Sequence, residues 1–373
     1  MDKQTAITLN KRLLQNLKAR TTDQAAQELQ MPADAFFCEQ RFACEIEKLF
    51  LQVPQPVAFS AEIPDPGSYF ALDVLDIPIV LTRSESGQLN AFLNVCSHRG
   101  AKVADGHGKK SRMVCRFHGW AYSLEGQLTG RPGEDCFSSS KKSSELTRLP
   151  VSEKYGIVVV GIDPICTQAS VDSALNELGE ELGNFQFAQY QAIDRKHFFV
   201  NANWKLVTDL SLESYHFNTL HRDSLAPVLA PNAVVDTYDR HSRWAFPLKS
   251  IDRLTELDES EWPDSIEGSC TYTLYPGVMV IVNASGAQMI RAEPGPVPGQ
   301  SRVIYTGIGG PKCSMEDAAQ AYGFGGDIFE KEDLPVAQEC QRGLEIGKRD
   351  LLLGKNEPLL QFWHRLWNDA IRQ

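Results

Sequence analysis

No stretch of this chain is apolar for long enough to cross a bilayer. The longest such run, Gly156 to Ile162, falls far short of the roughly 20 residues that a spanning helix needs. The start, MDKQTAITLNKRLLQNLKAR, has no apolar h-region and no small-residue cleavage site. No secretory signal is read there, and a cytoplasmic protein is expected. Basic charge is also in short supply: 37 Lys+Arg stand against 48 Asp+Glu, for a formal net charge of −11. Phosphate binding needs clustered cations, so nucleic acid is not expected as a partner. Cysteine is too sparse for a disulfide framework. The nine present, an odd number in a 373-residue chain, read as reduced thiols and ligands. There is no internal repeat, and the only biased tract is FSSSKKSS at 137–144, expected to be a surface loop.

What remains is an ordinary globular mixture, 42% hydrophobic and 23% charged, long enough for two domains. Residues 1–36 read as helical, with Ile7, Leu13, Leu14 and Leu17 on one face, Asn10 interrupting the stripe, and a second helical candidate at Ala25 to Leu29. Phe42, Ile46, Leu49 and Phe50 mark another amphipathic stretch. Short runs such as YFALDVLD, IPIVLTR and GIVVVGI then alternate with Gly/Pro/Ser/Asp turns, which predicts a small antiparallel β domain over about 37–160. Helical and strand patterns mix over 161–373, ending in helices. The fold class read from this is α+β.

Two groups of residues carry chemistry. Cys96-Ser97-His98 and Cys115-Arg116-Phe117-His118 give C-x-H, sixteen residues, then C-x-x-H. Each pair falls where a strand runs into a glycine-containing turn, so two similar loops are expected to face each other. Two thiolates and two imidazoles can hold one tetrahedral zinc, or a [2Fe–2S] cluster with both histidines on one iron. Zinc fingers, however, usually place two cysteines together before the histidines. His107, between the halves, has no ligand spacing and reads as a loop residue.

The second group lies in NANWKLVTDLSLESYHFNTLH, which contains Glu213-x-x-His216 and His216-x4-His221. On a helix Glu213 and His216 share a face. Five residues turn a helix by about 500°, so His221 would point away from His216 unless the helix ends or bends between them. Two histidines and a carboxylate are the facial triad of mononuclear Fe(II) oxygenases, and a polar helix face carrying two histidines is the bland alternative.

NVCSHRGAKVADGHG and VCRFHGWAYSLEGQLTGRP resemble the Rieske segment of ring-hydroxylating non-haem iron oxygenases, and NWK with D-x-x-x-E-x-Y-H-x4-H is similar to that family's iron-site segment. The resemblance implies a Rieske [2Fe–2S] cluster on Cys96, His98, Cys115 and His118, and a mononuclear Fe(II) on His216 and His221. FEKEDLPVAQECQRGL resembles the family's third-ligand segment, which implies Asp333 as a ligand, with Glu332 the competitor. Glu213 is implied as the acidic link from one subunit's iron ligand to the neighbour's Rieske histidine, His118, and Asp209 as a further catalytic-site acid. One position departs: Leu210 stands where the family usually has Asn.

The resemblance further implies a β-sheet surrounded by helices, of helix-grip type, in the larger domain. It implies a homotrimer, or an α3β3 assembly with a small subunit. The chain has no C-x4-C-x2-C cluster and no convincing G-x-G-x-x-G fingerprint, so NAD(P)H oxidation is expected on a separate reductase, with or without a ferredoxin. The expected activity is mono- or dihydroxylation of a small aromatic substrate. The alternative is oxidation or N-demethylation of a carnitine-, choline- or betaine-type amine, for which an aromatic cage from Tyr215, Phe217, Trp244 and Phe246 is a candidate. A Rieske electron carrier without oxygenase activity is a reading from another class, and a carrier would need none of Glu213, His216, His221 and Asp333.

Overall fold

The computed structural model describes residues 1–138 and 140–372, and the chain divides into two units, Leu51–Ala174 and Met1–Phe50 with Leu175–Gln373. No described helix is long and apolar enough to cross a membrane.

The smaller unit is built of antiparallel strands. A five-stranded sheet runs in the order Arg148–Leu149, Leu89–Leu93, Ile77–Arg83, Ser68–Val74, His107–Lys109. A second sheet places Ile157–Val160 between Val151–Lys154 and Gln55–Phe59. All four residues of the central strand are buried, which explains why this segment reads as an unbroken apolar run rather than an alternating one. The third sheet, Met113–Val114, Ala121–Tyr122 and Leu128–Gly130, carries one of the two cysteine loops. Beneath both loops lies a core of Tyr69, Val80, Phe92, Met113 and Leu128.

This unit starts and ends about 14 residues later than the sequence texture suggests, at 51 and 174 rather than 37 and 160. The reason is packing. Helix Glu39–Glu45 and the turn after it belong with the larger unit, where Phe50 meets Trp204 edge-on at 4.9 Å and Glu45 pairs with Lys205. Beyond 160, the helix Gln168–Ser173 stays with the β unit, held by Gln168 Nε2 donating to the Val151 carbonyl at 2.9 Å. In the stretch 137–144, Lys141–Ser144 forms a short 3-10 turn, and Ser139 lies outside the described residues.

The larger unit centres on a seven-stranded antiparallel sheet, ordered Gln191–Val200, Ser301–Gly309, Gly286–Pro294, Val278–Asn283, Gly268–Leu274, His241–Pro247, Val234–Tyr238. Around it lie the helices Lys3–Ala19, Trp204–Asp209, Met315–Ile328, Leu334–Gly347 and Pro358–Arg372. The unit is α+β, as the sequence pattern predicts. Asn10 interrupts the apolar stripe of the first helix for a structural reason. Its side chain is fully buried, donating to the Ser265 carbonyl at 3.3 Å and accepting from Glu267 N–H at 2.9 Å. The predicted helix at Ala25 to Leu29 does not form. Leu29–Met31 is instead a strand paired with Leu351–Leu353, because a distant segment satisfies its backbone better than its own short apolar pattern can.

Candidate metal centres

In the β unit, the loops after Cys96 and Cys115 share one hydrogen-bond pattern. Each cysteine N–H donates to the carbonyl five residues on (Ala101, Trp120), and each cysteine carbonyl accepts from the N–H four residues on (Gly100, Gly119). Both glycines sit at positive φ, 78° and 74°, a conformation that side chains resist. The repeated turn brings His98 and His118 to a ring-centroid distance of 4.5 Å and buries both cysteines.

His98 Nδ1 is buried without a hydrogen-bond partner, which suits a nitrogen that binds a metal. Only His216, His221 and Asp333, among the described residues, bring three ligand atoms within 4.8 Å of one another. The two cysteines and two histidines are therefore spread wider than a single zinc, with Zn–S of about 2.3 Å, would hold them. A two-iron cluster suits the wider spacing. Two partners of these ligands escape a reading by ligand spacing. Tyr122 Oη lies 3.3 Å from Cys96 Sγ and accepts from Ser97 N–H at 3.1 Å, and Trp120 stacks on His98 at 4.9 Å with rings 4° from parallel. Burial, and after it the neighbouring Cys96, push the Tyr122 phenol well above its ordinary pKa, so it keeps its proton to donate.

In the larger unit, Asn203 caps the helix Trp204–Asp209 by accepting from Lys205 N–H at 3.0 Å. The helix stops at Asp209, and the chain continues through consecutive turns. The His216 carbonyl accepts from Thr219 and Leu220, and the His221 carbonyl from Ser224, Leu225 and Ala226. This departure from helix removes the 500° problem, and the two imidazoles meet edge-on at 4.9 Å.

Asp333 ends the π-helical stretch Phe329–Asp333, between the helices Met315–Ile328 and Leu334–Gly347. The wider turn re-aims side chains there, and Pro335 follows in the first turn of the next helix, where no backbone donor is needed. Asp333 Oδ1 lies 3.1 Å from His221 Nε2 and 3.9 Å from His216 Nε2. It is buried without a well-directed hydrogen bond.

Both imidazoles are gripped from behind by carboxylates. Glu213 Oε1 is 2.5 Å from His216 Nδ1, and Glu213 also accepts from the N–H groups of Tyr215 and His216. Glu332 Oε2 is 2.7 Å from His221 Nδ1 and accepts from Ser224 Oγ at 2.8 Å. Adjacent carboxylates thus clasp opposite edges of His221. Burial alone would lower the His221 pKa, but Asp333 and Glu332 outweigh it and raise it. A metal taken up here displaces that proton, so its binding strengthens as pH rises. Two Nε2 atoms and a partnerless carboxylate oxygen, with each Nδ1 held by a second carboxylate, fit a mononuclear iron. Asp209 is not brought into this group. Its carboxylate faces His364 Nε2 at 2.9 and 3.0 Å, on a helix where no motif marked His364.

The His216, His221 and Asp333 side chains line a cavity of about 310 Å³. Its wall is mainly apolar, with Phe217, Trp244, Phe246, Tyr305, Phe324 and Phe329 contributing rings. Phe217 meets Phe246 at 5.2 Å, and Phe246 meets Trp244 at 4.5 Å. Tyr215 is not among the lining residues and is 71% exposed. Leu210 does line the cavity and presents an apolar surface there. Among the described lining residues none is lysine, arginine or glutamate.

Both units have relatives among known proteins. Residues 53–150 match the Rieske [2Fe-2S] domain, and residues 187–373 match the ring hydroxylating alpha subunit (catalytic domain). The carnitine monooxygenase oxygenase subunit of Acinetobacter pittii is 28% identical over 325 residues, 84% of this chain and 85% of that one. Chloroplastic choline monooxygenase of Amaranthus tricolor is 30% identical over 316 residues, covering 82% and 69%. The structure of naphthalene 1,2-dioxygenase from a Rhodococcus species with indole bound superposes with a TM-score of 0.76, at 18% identity, over 98% of each chain. With both domains matched in order, the chain belongs to the Rieske-type ring-hydroxylating oxygenases as the catalytic alpha subunit, an O2-incorporating enzyme that carries a [2Fe–2S] cluster and a mononuclear iron.

Proposed function

We propose that this oxygenase component takes electrons from its separate reductase to hydroxylate a small, uncharged, largely apolar ring substrate. The observation that carries this reading is the cavity wall, which is rich in rings and free of cationic side chains among the described residues. Carnitine and betaines bear a carboxylate, and desolvating it in such a cavity with no lysine or arginine opposite would be costly. A second reading, oxidation of a quaternary ammonium compound without a carboxylate, is favoured by the Phe217, Trp244 and Phe246 rings, which could face a cation.

In this proposal Cys96, His98, Cys115 and His118 hold the cluster, and His216, His221 and Asp333 hold the iron. When bound, the cluster supplies single electrons and the iron supplies the site where O2 is reduced beside the substrate. Glu332 fixes the His221 ring through Nδ1. Glu213 fixes His216 in the same way, and its carboxylate links that ring to a neighbouring subunit's His118 in a head-to-tail homotrimer, a closed ring of heterologous contacts. The aromatic wall keeps water from the reacting ring and holds its face.

Oxygen uptake by the dithionite-reduced protein tests the substrate class. Naphthalene or indole is expected to be oxidised, with L-carnitine, choline and glycine betaine inert. The reverse pattern would overturn the first reading, and turnover of choline alone would install the second. Glu213→Gln is expected to keep iron content and the cluster's visible spectrum while slowing substrate-dependent reoxidation of the cluster by about 10- to 100-fold. Unchanged reoxidation kinetics would remove Glu213 from the electron route.

A further inference from the structure

The sheet register places a row of side chains on the cavity side of the large unit. Trp244 is paired with Thr271, Thr271 with Ile281, and Ile281 with Gln288 across four neighbouring strands, and all four line the cavity. Asn283, two residues beyond Ile281 and so on the same face, lines it too. Three of these residues are polar in a wall that is mainly apolar, and each has hydrogen-bonding capacity left over. Thr271 is 1% exposed, and its hydroxyl has no hydrogen-bond partner among the described residues. The Gln288 amide likewise has no partner among the described residues. Asn283 spends its Oδ1 on the hairpin turn, accepting from Ser285 N–H at 2.9 Å and Gly286 N–H at 3.2 Å, while its amide N–H groups have no partner among the described residues.

Gly325 bears on the same point. A Cβ there would stand 2.9 Å from Tyr305 Oη and 3.4 Å from Gln288 Oε1, so glycine preserves the space beside the Gln288 amide. Burying polar groups without partners is costly, and groups aimed into a substrate cavity recover that cost when water or a ligand bonds them.

We propose that Thr271, Gln288 and Asn283 form a polar strip that recognises a neutral oxygen acceptor, a carbonyl or ether oxygen, on the ring substrate and thereby fixes which ring edge faces the iron. This rests on the apolar-substrate reading above and narrows it to oxygen-substituted rings. Thr271 and Gln288 determine specificity through binding. They hold no metal and take no part in the bond changes.

The test is equilibrium binding to the oxidised holoenzyme, without reductant, of indane and of 1-indanone, which add up to the same bicyclic skeleton without and with a carbonyl. The wild-type protein is expected to bind the ketone roughly three- to tenfold more tightly, the range of one or two neutral hydrogen bonds. Gln288→Met and Thr271→Val keep side-chain volume and remove the bonding groups. Each is expected to reduce the ketone preference, and the double variant to leave no more than the contribution of Asn283, with indane affinity unchanged as the control for an intact cavity. Equal wild-type affinity for both compounds, or a preference undiminished in the double variant, overturns the strip while leaving the apolar-substrate reading in place. Binding of choline or L-carnitine with neither ring compound bound overturns that reading and this inference together.

Discussion

Asp333→Ala is expected to strip the protein of its mononuclear iron and reduce turnover to background, while the brown colour of the cluster persists. The carboxylate is 8% exposed, and its Oδ1 faces both His216 and His221 with no hydrogen bond of its own. Alanine would leave two imidazoles, and two neutral ligands hold Fe(II) far less firmly than a set that includes an anionic oxygen. Glu332→Gln should be milder. It weakens the grip on His221 Nδ1 but keeps a side chain able to bond there, so about a 10- to 100-fold loss in iron affinity is expected. Iron and acid-labile sulfide assays separate the cases: the Asp333 variant should fall from about three irons per chain to about two at constant sulfide. Cys115→Ser should do the reverse, losing colour and sulfide together. If Asp333→Ala kept its third iron, or Glu332→Gln lost it more completely, the roles of the two neighbours would have to be exchanged.

That these two carboxylates are adjacent shows what a sequence can and cannot disclose. Motif resemblance points to Asp333 over Glu332, but nothing in the linear order says that Glu332 reaches the far edge of His221. That depends on the π-helical turn over Phe329–Asp333, and no residue pattern in FEKED announces an extra residue per turn. His216 and His221 were legible as a pair only on condition that the helix break, and it does so at Asp209. The cysteine loops were easier, because the glycine after each Cys/His pair has a local reason to be there, a positive φ that closes the turn. The β texture of 51–174 was readable from alternation and turn residues, whereas its start was not. Residues 39–50 look like any short amphipathic helix until Phe50 meets Trp204. His364 and the strand Leu29–Met31 were invisible for the same reason, since their partners Asp209 and Leu351–Leu353 lie far away in the chain. The polar strip on the sheet was hidden too, because cavity-facing and core-facing residues alternate identically.

Glu45→Ala is expected to be the most destabilising single change outside the metal centres. Glu45 and Lys205 are both fully buried, with Lys205 Nζ 2.5 Å from Glu45 Oε2. The same carboxylate accepts from Trp204 Nε1 at 3.1 Å and from Arg41 Nε at 2.8 Å. Removing it strands an ammonium, an indole N–H and a guanidinium at once, a loss of about 3–5 kcal/mol, out of a total of about 5–15 kcal/mol for a typical domain. The pH dependence identifies the cause. Burial lowers the Lys205 pKa, and without Glu45 the strongest opposing influence is gone. The unfolded lysine then binds a proton that the folded one gives up more readily, so the variant's stability should rise with pH through the interval between the folded and unfolded pKa values, approaching wild type in alkali. Denaturant midpoints across pH would measure this. A deficit that does not change with pH would assign the loss to packing alone. Glu45→Leu combined with Lys205→Met replaces the pair by apolar groups of similar size and should be about neutral, or stabilising by about 1–4 kcal/mol, provided Arg41 reaches solvent. Trp204 and Lys205 open the helix whose exit leads to His216 and His221. Retained iron in the double variant would mean that the buried pair serves stability alone. Lost iron in a stable protein would mean that its hydrogen bonds set the direction in which the ligand segment leaves the helix.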